Sequence, residues 1–214
     1  MSLRYRRLMS SYKKAVAGGW WLSGGISAAN CIAAYQPKGA ASYAASKTDL
    51  TGNGNNLSDG TNAPSWDVNG WAFSNYTYYV ITPAIDSYSI AILNRKVSGC
   101  YLHGLTGTDT GSHNIRLNDT VYWRGNANTD TNDYTYSGGK FYVNETLTDT
   151  GIFGSVWNTI VGIRPSIANS IQHTFSQARY NDRHWAGGNI GAVAIYDIDI
   201  SSYVSALTTA MNAL

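Results

Sequence analysis

Apolar positions fall in short runs along the chain, separated by stretches of Gly, Asn, Thr and Ser. Runs of this kind predict strands rather than helices. Residues 30–35 read as a first strand, closed by Gln36-Pro37-Lys38-Gly39. Residues 40–50 are Ala/Ser-rich and predict a short helix or an extended crossing segment, and residues 51–64 predict a turn-rich loop. Trp66, Val68, Trp71 and Phe73 flank a turn at Asn69-Gly70. Further strands are expected at 76–81, 88–93, 100–105, 140–143, 160–163 and 191–197. In residues 88–93, Tyr88, Ile90 and Ile92 fall on one face. Residues 113–117 and 120–123 predict a hairpin around Asn118-Asp119, and 182–186 an extended segment before Asn189-Ile190. Residues 201–214 are the best helix candidate. Ser201 or Ser202 can cap it, and Tyr203, Leu207, Ala210 and Leu214 recur at helical spacing.

Many short strands and one terminal helix predict an all-β sandwich or jelly roll. Its two antiparallel sheets are expected to turn Trp71, Phe73, Ile90, Ile92, Tyr142, Val193 and Ile195 inward. No internal repeat with a fixed period is present. A length of 214 residues suits one such domain.

Composition narrows the class. Charged residues are 13% of the chain, against roughly 25% in typical globular proteins. Aromatics are also 13%, which argues against a disordered chain. No uncharged apolar stretch reaches the roughly 18 residues of a membrane-crossing helix, so no membrane association is expected.

Charge is unevenly placed. Arg4, Arg6, Arg7, Lys13 and Lys14 precede the first acid, Asp49. Without those five, ten basic groups face 13 acidic ones. The chain therefore reads as a basic arm, residues 1–29, on a mildly acidic domain, residues 30–214. Phosphate contacts need Lys and Arg, so the body is not expected to bind nucleic acid; only the arm could. The arm's apolar centre is broken by Gly18, Gly19, Gly24 and Gly25, which fits a cleaved leader poorly. It is expected instead to dock on another protein subunit, identical or not. Trp20 and Trp21 would be buried there, with Arg4, Arg6 and Arg7 giving orientation.

Candidate chemistry is sparse. Glu145 is the single Glu, so a Glu pair for glycoside hydrolysis is absent, although two Asp could serve in principle. Cys31 and Cys100 could form one disulfide, but buried free thiols are the preferred reading. No CxxC or HExxH spacing suggests zinc. Among the histidines, His184 beside Asp182 is the most site-like, yet no nucleophile motif accompanies it. Asn126, Asn128, Asp130, Asn132 and Asp133 could converge on calcium through oxygen ligands, but a polar hairpin tip is the preferred reading, since the loop lacks the Gly and bidentate Glu of the best-known calcium loop. Tyr76, Tyr78, Trp123, Tyr134, Tyr136 and Trp185 lie in or beside loops. Aromatic rings there can stack on the apolar faces of sugars, or simply serve as strand residues.

Several segments resemble a known family. Residues 188–197, followed by Asp199-Ile200 and a helix, are similar to the closing signature of laminin-G-like, concanavalin A-like jelly rolls. Gly139-Lys140-Phe141-Tyr142-Val143-Asn144 resembles that family's hairpin strand, and Gly70-Trp71-Ala72-Phe73 with Tyr79-Val80 its opening. Trp20-Trp21-Leu22 and residues 31–42 resemble laminin-G-like structural proteins of tailed bacteriophages. The resemblance implies a virion surface component: a head decoration, fibre or tail adhesin, assembled in the host cytoplasm and forming homo-oligomers. Two family features are absent. Gly191 stands where calcium-binding members place an Asp, and the laminarinase E-x-D-x-x-E strand is missing. The expected protein is thus a non-enzymatic structural component without a cofactor. A carbohydrate-binding module or host-receptor adhesin is the alternative, and a glycan-active enzyme the third reading.

Overall fold

The computed structural model describes residues 18–60, 62–73, 79–81, 85–96, 100–106, 114–117, 121–124, 139–148, 156–175 and 188–214. The strands are β1 (Cys31–Tyr35), β2 (Leu57–Asp59), β3 (Ser65–Asp67), β4 (Gly70–Phe73), β5 (Tyr79–Ile81), β6 (Ile85–Lys96), β7 (Cys100–Thr106), β8 (Asn114–Leu117), β9 (Val121–Arg124), β10 (Lys140–Val143), β11 (Thr146–Leu147), β12 (Asn158–Phe175) and β13 (Gly188–Tyr196). Two short helices join them, α1 (Tyr43–Ser46) and α2 (Val204–Asn212). Every strand pairing among the described residues is antiparallel.

The main sheet is built around β6, which lies between β13 and β12. Ile90 and Ile92 face Ile195 and Val193 on one side, and Gly162 and Ile160 on the other. The far edge of β13 is shared: Ile190 pairs with Trp71 of β4, and Val193 with Tyr35 of β1. β12 links this sheet to a second layer. Its first residues pair with β6 and β10, and its last with β7 and β5. Pro165, which has no N–H to give a ladder, falls in the register break between Ile163 and Ala168.

The main sheet is buried on both faces, which explains why its strands read as nearly unbroken apolar runs. One face holds Trp71, Phe73, Ile90, Ile92, Phe141, Val143, Val193 and Ile195, with Leu57 of β2 and Phe175 of β12 in the same cluster. The other face holds Ala91, Leu93, Val161, Ile163, Ala194 and Tyr196 under Val204, Leu207 and Met211 of α2. Tyr142, expected inside, belongs to this second face, because period two turns Phe141 and Val143 inward instead. Tyr88, expected beside Ile90 and Ile92, also packs on the second face.

Trp20 and Trp21 join the second cluster too. Two 3-10 turns over Trp20–Gly25, kinked at Ser23 and Gly24, pack against α2. Trp20 is buried, its ring centre 5.9 Å from that of Trp21 in an edge-to-face pair. The Tyr196 hydroxyl donates to the Trp21 carbonyl at 2.9 Å. This corrects the expected burial of both rings on a partner subunit: the apolar roof over their own sheet accommodates them. The folded unit therefore includes Trp20, ten residues before the expected boundary at residue 30. Arg4, Arg6 and Arg7 lie outside the described residues.

Local differences have simple causes. β2 crosses the predicted loop because Leu57 is the one apolar anchor there, paired with Ile81. Helix α2 is not capped by Ser201 or Ser202. The Asp199 carboxylate accepts from the Ser201 N–H at 2.8 Å and leads the chain into the preceding 3-10 turn. Gly70, at φ +107°, cannot be replaced, since a Cβ there would lie 2.3 Å from the Ile190 carbonyl oxygen.

Two carboxylates tie the segment after β1 to the sheet. Asp49 is buried and accepts from the N–H groups of Ala34, Thr51 and Asn55. Asp59 accepts from Lys47 Nζ at 2.9 Å and from the Tyr43 hydroxyl at 2.5 Å. Partial burial acts to raise the Asp59 pKa, but the Tyr43 hydroxyl and Lys47 ammonium outweigh it and hold the carboxyl below its usual 3.8. A depressed folded-state value means that the stabilisation is present at neutral pH and fades as pH falls through that lowered value. The pair is partly exposed, so its contribution is expected to stay below about 1 kcal/mol. Urea unfolding of wild type and Asp59→Asn should differ by that amount at neutral pH and converge in acid as the Asp59 carboxyl becomes protonated. A gap that widens in acid contradicts this assignment.

Candidate ligand-binding cleft

Turn chemistry positions one wall of a cleft on the helix-covered side of the main sheet. β10 and β11 are joined by Asn144-Glu145, both at positive φ, 46° and 74°. This is the geometry of a two-residue hairpin turn. The Asn144 side chain fastens the turn to β12. Its Oδ1 accepts from the Thr159 N–H at 2.9 Å, and its Nδ2 donates to Asn158 Oδ1 at 2.7 Å. Asn158 Nδ2 in turn donates to the Val156 carbonyl at 3.2 Å, holding the backbone on either side of Trp157.

Trp157 is half-buried and forms the aromatic wall. β13 carries a register irregularity at Gly191, opposite β6, and the benzo edge of the indole rests there. A Cβ at Gly191 would come 3.0 Å from Trp157 Cζ3 and 3.1 Å from Leu93 Cδ2, so the glycine gives the ring its seat. The Gly191 carbonyl accepts from the Lys38 N–H at 3.1 Å, which brings the turn after β1 alongside. Lys38 Nζ lies 5.1 Å from the Trp157 ring centre, and Arg95 Cζ 5.2 Å. Arg95 is also held by Asn189, whose Oδ1 accepts from Nη2 at 2.8 Å.

Lys38, Leu93, Asn144, Trp157, Met211 and Asn212 enclose about 270 Å³. That is near the lower end of the roughly 300–1,000 Å³ of small-molecule sites. Among its described residues the lining combines one indole, an apolar floor, amides and a cation, without a carboxylate. It suits binding of a polar ligand with a flat apolar face better than acid–base chemistry.

Tyr76, Tyr78, Tyr134, Tyr136, Trp185, Asp182 and His184 lie outside the described residues, as do Asn126, Asn128, Asp130, Asn132 and Asp133. Trp123 sits on β9 opposite Ile115. Among the described residues no three His, Cys, Asp or Glu side chains gather to hold a metal. Among them, too, no helix is long and apolar enough to cross a membrane. Cys31 is a buried free thiol whose pKa burial pushes up strongly, so it is a poor nucleophile. Trp157, Arg95 and Asn212 were not identifiable from sequence as a site. Lys38, Asn144 and Gly191 each stood in a noticed motif, but nothing in the spacing links them.

No protein-family model matches the chain, and no curated protein does. Among solved structures it is similar to domain 4 of AbnA, a GH43 extracellular arabinanase from Geobacillus stearothermophilus, in complex with arabinotriose. The TM-score is 0.50 at 14% identity, over 84% of this chain and 98% of that one. At this identity the likeness concerns the fold: an all-β, antiparallel sandwich closed by a C-terminal helix.

Proposed function

We propose that this chain is a non-catalytic carbohydrate-binding module that takes a short oligosaccharide in the Trp157 cleft. The observation that carries the reading is the half-exposed indole held on Gly191 beside amide side chains. Sugar rings offer C–H faces to an aromatic ring and hydroxyls to amides, and this lining supplies both partners. The fold neighbour solved with arabinotriose supports the same class of ligand. A host-surface adhesin is a special case of this activity. No observation on the described residues favours a head-decoration or fibre role independent of glycan.

Trp157→Ala is the test. Calorimetric titration against a panel of oligosaccharides should find a ligand for the wild type. The variant should bind it at least about 30-fold more weakly, roughly 2 kcal/mol, as for a central aromatic contact. Equal affinity of the two proteins removes the cleft from consideration, and release of reducing ends from the ligand by the wild type contradicts the absence of catalysis.

A further inference from the structure

Two cations lie over one indole: Lys38 lines the cleft, and Arg95 sits on the same ring without being among the lining residues. Lys38 and Arg95 both lie about 5 Å from the ring centre of Trp157. Neither takes part in an ion pair among the described residues, where the salt bridge is Lys47–Asp59. Arg95 is pre-organised by the ring and by Asn189, so little side-chain freedom remains to be lost when an anion arrives. Lys38 projects from a turn, its ammonium set against the π face. Cation–π contact at an exposed site is worth only about 0.5–1 kcal/mol. A charge-assisted hydrogen bond to a carboxylate or sulfate is stronger. No carboxylate of the lining offers that partner. The described lining thus carries a cation and no carboxylate, beside a surface suited to a sugar ring.

We propose that the cleft selects acidic sugars, whose carboxylate or sulfate is taken by Lys38, with Arg95 on the same indole adding to the positive charge, while the ring lies along Trp157. This rests on the carbohydrate-binding reading and adds the charge class of the ligand. The lysine is a mobile donor that moves off the indole to meet the anion, and the fixed guanidinium of Arg95 adds to the positive charge on the same ring. Binding is correspondingly salt-sensitive, because exposed charges are screened over about 8 Å at physiological ionic strength.

The experiment compares four trisaccharides on the full chain: a galacturonate oligomer, a sulfated galactose oligomer, neutral galactotriose and arabinotriose. At least one acidic oligomer should bind about ten-fold tighter than neutral galactotriose, and lose most of that advantage when NaCl is raised from about 20 mM to about 500 mM. Lys38→Gln and Arg95→Gln should each bring the acidic-to-neutral ratio toward one. Lys38→Gln, on a turn, serves as the decisive variant if Arg95→Gln folds poorly. Neutral and acidic sugars binding alike, with no salt effect, overturns the charge selection and leaves carbohydrate binding standing. If none of the four binds, and a wider neutral panel is also silent, the carbohydrate reading itself falls.

Discussion

Replacing Trp71 with Ala is expected to remove about 3–5 kcal/mol of folding stability, as for large aromatic truncations in a core. Trp71 is fully buried at the centre of the inner face. Its ring centre lies 6.1 Å from both Tyr35 and Phe175 and 6.4 Å from Phe73, so it joins β1, β4 and the end of β12. Its indole N–H donates to Ser46 Oγ at 2.9 Å, which also anchors α1. Truncation opens a cavity bordered by three aromatic rings that β-pairing holds in place, so the surroundings cannot collapse into it. Natural domains hold only about 5–15 kcal/mol in total. The variant should therefore show a sharply lower denaturation midpoint in urea and poor soluble yield. Trp71→Phe should recover a good part of the loss. A cost below about 1 kcal/mol for Trp71→Ala contradicts the packing described.

Asp49→Asn is expected to cost about 3 kcal/mol although it changes almost no volume. The carboxylate accepts from three backbone N–H groups, and Thr51 Oγ1 donates to both of its oxygens at 2.8 and 2.9 Å. An amide keeps one acceptor and turns an NH2 group toward donors. Buried donors lose their partner, and bonds to a charged acceptor are each worth about 1.5–3 kcal/mol. The segment that presents Leu57 and Asn55 to β1 should loosen with it. For a chain of this size the melting temperature should fall by roughly 6–12 °C. A shift within about 2 °C shows that the carboxylate is dispensable.

Much of the strand order was legible because the main sheet is buried on both faces. The apolar runs of β6 and β13 admit only one kind of element. The pairing of β8 with β9 was legible too, from the two short runs on either side of Asn118-Asp119. What escaped depends on contacts between distant residues. The side of β10 that carries Tyr142 follows from its register against β12, which alternation cannot supply. The role of Trp20 follows from a helix 180 residues later that roofs the same sheet face. The cleft is hardest to read. Lys38, Arg95, Trp157 and Gly191 meet only after β1, β6, β12 and β13 have aligned, and each is unremarkable where it stands in the chain.

The placement of β13 also bears on how the chain is made. This last strand sits inside the main sheet, bordered by β6 on one edge and by β4 and β1 on the other. Cys31 of β1 is matched with Tyr196, so the first strand waits for the last. Synthesis delivers residues at about 5–20 per second, N-terminus first. Until β13 leaves the ribosome, β1, β4 and β6 present open, apolar edges that are templates for pairing with other chains. Closure of the main sheet thus waits for β13 and is dominated by long loop closures, which makes folding slow for the chain's size. Nascent chains stalled before β13 should be the species that chaperones hold and that aggregates recruit.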